Sequence, residues 1–301
     1  MAIQATHIGG YYYQVEASYG AGFATGQQQI PADVVESMNF TPAMNIQRLA
    51  TINDYDYQDT TFGARDYTIT CAHPYQQLGA AAMHTQVLSL EYLAVNRTAG
   101  DMASIASCLK TGASSYLIFK GGKINTQNIA FSVGEQVNVT TEIWASNLTT
   151  SASVPAGTAP SVIGTAFDTF NAALVAKSGK WVAGIKACTL TINNNLERIP
   201  RIATAGAQGG DYAYIMPGIQ ETKLTADIIA DGAGKSDIDD LLAGEETNIV
   251  IQSGTTPNLS TKWTLTKPTY NGIPVVYSAD MTTLILSADI GAESLAIGLA
   301  T

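Results

Sequence analysis

The amino-acid sequence predicts a mainly β protein with two similar β-rich domains in tandem and about one short helix in each. The first reason is composition: 46% of the residues are hydrophobic and only 13% are charged. Such a balance suits half-buried sheet better than charged helical surface. The second reason is apolar alternation with a period of two in several segments. The third is a match between the two halves of the chain.

Strands and helices follow from local patterns. Residues 129–133 alternate, pass through a Gly134-Glu135 turn and continue as alternating residues 137–145, which predicts a hairpin. Residues 283–290 have the same strand character. Two short helices are predicted, at residues 101–109 and at residues 236–242, where Ser236 is a candidate cap with Asp239 three positions later.

The domain boundaries are predicted from an uncharged stretch at the middle of the chain. Residues 146–164 contain no charged side chain and show no periodicity, as expected of a linker. At 301 residues the chain is long enough for two cores. We therefore predict a first domain at 1–146, a linker at 147–164 and a second domain at 165–301.

The two halves match at nearly constant offsets, which indicates an internal duplication. The best match is NIQRL at 45–49 with NLERI at 195–199, an offset of 150. Chance similarity between two Thr-rich strands is the alternative interpretation, because half-buried strands alternate in the same way. Further matches place Met38 and Phe40 on Cys188 and Leu190, place Gly63, Tyr67, Ile69 and Cys71 near Gly218, Thr222, Leu224 and Ala226, and place Val137, Val139, Thr141 and Ile143 on Leu284, Leu286, Ala288 and Ile290.

Charge and cysteine content exclude some classes of protein. The net charge is −10, so the surface has no net attraction for the phosphates of nucleic acid. Three scattered cysteines do not make a disulfide framework and favour a reducing compartment. We expect no secretory signal and no transmembrane segment.

Enzyme and metal motifs are incomplete, and we expect no enzyme activity, no cofactor and no metal. In Gly232-Ala233-Gly234-Lys235-Ser236 the first glycine of a phosphate-binding loop is replaced by Ile229, so a turn before a helix is expected. Three aspartates at 54, 56 and 59 lack the turn glycine and the closing glutamate of a calcium loop. Cys71, His73 and His84 have no fourth zinc ligand, and no serine lies in a nucleophile elbow.

Two segments resemble the tail tube domains of tailed phages. Residues 123–140, KINTQNIAFSVGEQVNVT, are similar to the closing strand, Gly-Glu turn and strand of those domains. Residues 187–198, ACTLTINNNLER, with Pro217-Gly218-Ile219-Gln220 and the strand at 223–229, are similar to the region after their first strand. The chain thus resembles a siphovirus-like major tail tube protein with two tandem tail tube domains.

The resemblance implies a structural virion protein that assembles with itself. Each of the two tail-tube-type domains would be a β-sandwich that pairs edge to edge with its neighbours. Together they would close a β-barrel channel for viral DNA, with rings stacked into a tube. Two domains per chain would give a trimeric ring with pseudo-six-fold symmetry, the alternative being a hexamer. The implied partners are the tape measure, tail terminator and distal tail proteins, with DNA passing through without specific binding and no membrane. The implied location is the virion tail, assembled in the host cytoplasm.

Three other functions share this composition. A capsid decoration protein or an adhesin would expose a ligand patch instead of closing a ring. The inner tube of a contractile or secretion particle would assemble in the same way. A glycan-acting enzyme on a β scaffold would need paired carboxylates in a cleft.

Candidate site residues fall in two groups. For the channel wall we predict the polar faces of 137–145 and 283–290, where Glu142 and Asp289 coincide at an offset of 147. The same two acids could instead lie on the outer surface or in ion pairs between subunits. Two equivalent loops, 53–62 and 204–216, are predicted to contact a neighbouring ring or subunit. The channel candidates are Glu142, Asp289, Asn138, Thr140 and Ser287, and the loop candidates are Asp54, Tyr55, Asp56, Tyr57, Asp59, Gln208, Tyr212 and Tyr214.

Overall fold

A computed structural model of the 301-residue chain shows a mainly β protein. One short helix, α1 at Leu90–Val95, lies in the described part of the chain. None of the helical segments described is long and apolar enough to cross a membrane. The structure describes residues 11–25, 30–31, 37–50, 57–77, 90–112, 114–132, 134–155, 166–167, 174–177, 185–200, 211–229, 248–253, 261–272, 275–276 and 285–299.

The strands are numbered in chain order. In the first half they are β1 Tyr11–Val15, β2 Ile30–Pro31, β3 Ser37–Ala50, β4 Tyr57–Pro74, β5 Gln76–Gln77, β6 Ile105–Gly112, β7 Ser115–Ser132, β8 Asn138–Ala145 and β9 Asn147–Ser151. In the second half they are β10 Ala166–Phe167, β11 Leu174–Lys177, β12 Ile185–Asn193, β13 Glu197–Pro200, β14 Tyr212–Met216, β15 Glu221–Ile229, β16 Ile249–Ser253, β17 Thr261–Gly272, β18 Val275–Val276 and β19 Ile285–Leu299.

Among the described residues, one antiparallel sheet of 15 strands runs through both halves. From β3 the order is β4, β8, β7, β12, β15, β19, β17, β16 and β11, while β6, β1 and β2 continue from the other end of β7. Within the described strands the sheet is open and does not close into a barrel. The pairs β5–β10 and β13–β14 form two small separate sheets.

The long strand β7 belongs to two parts of the sheet because it bends at Gly121. Its first residues pair with β6 and β9, and its last residues pair with β8 and β12. Gly121 has φ +61°, and its N–H donates to the buried carboxylate of Glu16 at 3.1 Å. A Cβ on Gly122 would lie 2.9 Å from the Ile105 carbonyl oxygen. Only glycines fit this bend without displacing their neighbours.

The second half repeats the strand order and register of the first. In the sheet, β12 with β13 takes the place of β3, β15 with β14 that of β4, β19 that of β8 with β9, and β17 with β18 that of β7. The offsets along these strands are 150, 155, 147 and 146 residues. For example, the row Thr41, Thr68, Trp144, Lys123 corresponds to the row Thr191, Lys223, Gly291, Thr269.

Irregularities in the ladders repeat at the same positions. A bulge between Ile124 and Thr126 corresponds to one between Tyr270 and Gly272. Another register shift, between Leu49 and Ala50, recurs between Ile199 and Pro200. Two unrelated alternating strands would have no reason to share bulges, so this match is more specific than apolar alternation. The sequence matches at offsets 150, 155 and 147 therefore coincide with structural equivalence.

A continuous apolar core lies on one face of the sheet and crosses from one half to the other. Ile69, Ile143 and Leu190 are fully buried. Trp263 of the second half packs edge-on against Phe131 of the first half, with ring centroids 5.6 Å apart. Such aromatic pairs add to the gain from apolar burial.

Three local predictions can be compared with these elements. The hairpin at the Gly134 turn is confirmed, since β7 and β8 pair antiparallel and Gly134 has φ +81°. The helix predicted at 101–109 is wrong. Ile105 to Cys108 are consecutively buried in β6 between β1 and β7, and this pairing overrides the weak local helix signal. The helix predicted at 236–242 lies outside the described residues. Residues 147–151, at the start of the predicted linker, pair with β7 as strand β9.

Candidate functional site

The junction between β7 and β12 is the place where the two halves become one sheet. The strands pair antiparallel from Ser132–Ala187 to Thr126–Asn193. On the apolar face Leu190 lies opposite Ile129, and both are fully buried. On the polar face the Thr191 hydroxyl donates to Asn128 Oδ1 at 2.8 Å. The junction therefore combines a ladder of backbone bonds with burial on one side.

Asn194, directly after β12, fixes the end of this junction. Its side chain is fully buried and donates to the carbonyl oxygens of Ala94 and Ile124, each at 3.0 Å. Its Oδ1 accepts hydrogen bonds from Arg97 at 3.0 Å and from Gln220 at 2.9 Å. One amide thus joins the end of helix α1, strand β7 and the second half, and every polar group of its side chain is satisfied.

Arg198, in strand β13 of the second half, contacts the first half. Its guanidinium lies 3.8 Å from the Trp144 ring centroid. It donates to the Thr68 hydroxyl at 3.0 Å and lies 3.5 Å from the Asp66 carboxylate. The Tyr212 hydroxyl donates to the same carboxylate. Stacking and charge pairing act together here, an arrangement that suits arginine better than lysine.

Lys123 is a buried cation between the halves. Its Nζ donates to Asp101 at 2.6 Å and to the Tyr214 hydroxyl at 3.0 Å, and it lies 4.2 Å from the Tyr214 ring centroid. Burial lowers the pKa of Lys123, and the bond to Asp101 opposes this. Partial burial acts to raise the pKa of Asp101, but hydrogen bonds from Lys123, Tyr214 and the Met102 N–H outweigh it and hold that pKa below its usual value. Burial and Asp101 raise the pKa of Tyr214 to about 12.

The five residues predicted for the channel wall lie on one polar face of the sheet. Asn138 and Thr140 are exposed. Glu142 accepts bonds from Asn125 at 2.8 Å and from Trp144 Nε1 at 2.7 Å. Two second-half residues of this face also have partners: Asp289 accepts from Lys223 at 2.8 Å, and the Ser287 hydroxyl donates to Asp227 at 2.6 Å.

Cross-strand pairing makes this polar face continuous over both halves. One row contains Asn138, Ala130, Thr189, Thr225 and Asp289, and the next contains Thr140, Asn128, Thr191, Lys223 and Gly291. In β8, in β15 and in residues 285–291 of β19, the acids Glu142, Glu221, Asp227 and Asp289 share the face with one lysine, Lys223. The face is therefore polar, rich in Thr and Asn, and net negative.

The loop candidates fall partly within strands. Tyr57 and Asp59 are at the start of β4, and Tyr212 and Tyr214 are in β14, so the predicted loops are shorter than expected. Tyr57 is equivalent to Tyr212, and Asp59 to Tyr214, since each pair occupies matched rungs. The hydroxyls of Tyr212 and Tyr214 bond to Asp66 and Asp101 within the chain. The remaining candidates, Asp54, Tyr55, Asp56 and Gln208, lie outside the described residues.

Sequence reasoning missed the junction residues Asn194, Arg198 and Lys123. Arg198 was within reach, because it is part of the NLERI repeat and matches Arg48. Asn194 gave no such signal, since the equivalent position 44 is a methionine. A buried lysine at a strand centre is likewise invisible without its aspartate and tyrosine partners.

The described residues contain no group of three or more His, Cys, Asp and Glu side chains placed to hold a metal. The three cysteines are buried free thiols, and burial raises the pKa of Cys71 to about 12. No family model and no curated protein matches the chain. The fold and the junction define a mainly antiparallel β protein whose two halves share one sheet.

Proposed function

We propose that this chain is the subunit of a tail tube of the tailed-phage type, a structural protein that assembles with itself and has no enzyme activity. The observation that carries the proposal is the β7–β12 junction. It joins two equivalent sets of four strands, β3-β4-β8-β7 and β12-β15-β19-β17, through the edge strand β7 of one and the edge strand β12 of the other. The same junction can form between copies, because β3 is equivalent to β12, and β17 with β18 is equivalent to β7.

The strands needed for a junction between copies have an available edge. Among the described strands, β3 pairs only with β4, and β18 pairs only with β19. The internal pair Leu190–Ile129 maps onto Phe40–Val275, and the pair Asn193–Thr126 maps onto Ala43–Gly272. An edge strand with unpaired backbone groups is a ready template for another chain. Phe40 is only partly buried, and pairing would bury it further, as Leu190 is buried at the internal junction.

Repeating one junction head to tail leads to a ring. A heterologous contact closes when its rotation divides a full turn. Three chains would supply six equivalent halves and give a trimer with pseudo-six-fold symmetry. Stacked rings of this kind would form the tube, in the virion tail after assembly in the host cytoplasm.

The polar face supports the role of a conduit for DNA. If it lines the channel, passing phosphates meet Thr, Asn and Ser side chains with a net negative charge. Like charge prevents the counterion release that makes basic surfaces hold nucleic acid. Lys223 is the basic side chain within these rows, and it is already paired with Asp289.

Electron microscopy and mass measurement of the purified protein test the proposal. We expect rings or tubes whose repeating unit has the mass of three chains. Rings of six chains would contradict the trimer, and a protein that stays monomeric at high concentration would contradict the function.

Cysteine pairs test the junction register. Ala43→Cys with Gly272→Cys should give an oxidised cross-link between chains, and a Cβ at Gly272 meets nothing within 4 Å. Thr126→Cys with Asn193→Cys is the matched control, since the same register lies within one chain and should give a monomeric cross-link. A cross-link in the control alone would argue against the proposed junction.

A further inference from the structure

The β13–β14 hairpin reaches from the second half onto the first half, and we call it the internal arm. It continues β12 and β15 beyond the junction and lies on β4 and β8 through Arg198 and Tyr212. Ile215 of this arm is fully buried. A second contact, next to the outermost rung Pro200–Tyr212, is the hydrogen bond from Asn147 to Asp211. The internal arm is therefore docked on the first half by specific side-chain contacts.

The equivalent hairpin of the first half, residues 44–50 of β3 with 57–62 of β4, is here called the first-half arm. Its rungs match those of the internal arm: Gln47–Thr61 corresponds to Glu197–Met216, and Arg48–Thr60 corresponds to Arg198–Ile215. Both arms also shift register near the tip, between Leu49 and Ala50 in the first half and between Ile199 and Pro200 in the second half. The first-half arm thus has the backbone pairing of a hairpin whose counterpart docks on the preceding half.

We propose that the first-half arm of one copy docks on the second half of the neighbouring copy, on the surface formed by Glu221, Lys223 and Gly291. These residues lie at one end of the polar face, so the docked arm would cover them, and the channel would be lined by the rows beyond them, such as the row that contains Asp289. This inference rests on the proposed function, because the β3–β18 junction brings the arm to that surface. The three residues occupy the positions of Asp66, Thr68 and Trp144 beneath the internal arm. The occupant is a second copy of this chain, since the surface repeats one that the chain already covers with its own arm.

The chemistry of the contact follows from the differences between the two surfaces. In the docked arrangement Arg48 of the arm would meet Glu221, which is exposed and which is acidic as its half-buried counterpart Asp66 is. Lys223 does not compete for the same carboxylate, because its Nζ is bound to Asp289 at 2.8 Å. Gly291 offers no ring where the internal arm finds Trp144, so charge replaces stacking in this contact. The contact between copies is therefore more sensitive to salt than the internal one.

The loss of Asn194 at the equivalent position makes the arm more important between copies. Position 44 is methionine and carries no amide to bond the strand ends. The copy-to-copy junction consequently depends on backbone pairing and on the arm. Such a junction can open and close during assembly, whereas the internal one is fixed on folding.

Charge reversal with rescue tests the docking. Arg48→Glu and Glu221→Arg should each raise the protein concentration needed for half-maximal ring formation at low salt by about threefold to tenfold. The double variant restores the opposite charges and should return to within about twofold of the wild type. Glu135→Arg is the matched control: it makes the same change at an exposed turn outside the docking surface, and should assemble as the wild type does.

The outcomes separate this inference from the proposed function. Cross-linking of copies by cysteines at 43 and 272, with both charge-reversal variants assembling as the wild type does, would contradict the docking proposal. That result would leave the proposed tube function supported. If the reversals weaken assembly and the double variant is no better, the Arg48–Glu221 contact is wrong. If no ring forms and no cross-link appears, both proposals fall. Glu221 is exposed, so its variant keeps the test valid even if Arg48→Glu does not fold.

Discussion

Gly121 and Lys267 occupy equivalent positions in the two halves, and both have a left-handed backbone, with φ +61° and φ +45°. They mark the bend at which β7 and β17 pass from one part of the sheet to the other. A lysine tolerates this conformation at some cost in strain. Crowding therefore explains why the first half needs glycine, since a Cβ at Gly121 would lie 2.3 Å from Ser146 Oγ and 3.0 Å from the Tyr19 ring.

Gly121→Ala should lower the free energy of unfolding by about 2–4 kcal/mol, because it adds both strain and overlap. Denaturant unfolding measures the loss. Gly298→Ala is the control, since its Cβ meets nothing within 4 Å and its backbone is not left-handed. It should change stability by less than about 0.5 kcal/mol. Adding Ser146→Ala to Gly121→Ala should recover part of the loss, and no recovery would contradict crowding as the cause.

Asn194→Met introduces the residue that stands at the equivalent position 44. It leaves the Ala94 and Ile124 carbonyls, Arg97 and Gln220 without their shared partner, and should lower the free energy of unfolding by about 3 kcal/mol or more. Asn193→Ala, one residue earlier at a half-buried site, should cost less than about 1 kcal/mol. Equal losses for the two variants would show that Asn194 does not fix the junction.

Arg198→Lys keeps the charge but loses the planar stacking on Trp144. We expect it to destabilise the chain by about 1 kcal/mol, against about 2 kcal/mol for Arg198→Ala, which also leaves Asp66 without this cation. The exposed neighbour Glu197→Ala is the control and should be close to neutral. If the Arg198→Lys variant is as stable as the wild type, stacking on Trp144 does not contribute to stability.

Asp101→Asn should make stability less dependent on pH. The folded pKa of Asp101 is depressed, so its contribution is complete above the unfolded value of about 4 and is lost as the pH falls through the folded value. The wild type should therefore exceed the variant at pH 7, with a difference that shrinks towards pH 3. In a Lys123→Met background the same substitution should matter less. A constant difference from pH 7 to pH 3 would contradict the coupling of Asp101 to Lys123.

Glu142→Lys with Asp289→Lys tests whether the polar face lines the channel. Tubes of this variant should retain DNA at low salt and release it as salt rises, because lysines on the wall bind phosphates. Glu142→Gln with Asp289→Asn removes the acids without adding cations and should not retain DNA. A reconstruction in which both side chains point away from the tube axis would end the idea.

The β fold could be predicted from the sequence because a half-buried sheet leaves a period of two. The residue matches around Arg198 and Leu190 found the correct registers, since equivalent core positions need similar side chains. Local signals failed at 101–109, where four consecutive buried residues in β6 are fixed by the neighbouring strands. Contacts such as Lys123 with Asp101 join positions 22 residues apart and leave no periodic trace. The pairing of β7 with β12 could not be predicted for the same reason.

The covalent link across the β7–β12 junction changes how an assembly of the proposed kind depends on concentration. Half of the seams in a ring form inside single chains, at an effective concentration that tethering places in the millimolar range. Those seams are complete before any encounter between copies. Only the other half forms between chains, so each ring would need two productive encounters between separate chains instead of the five that six separate domains would need.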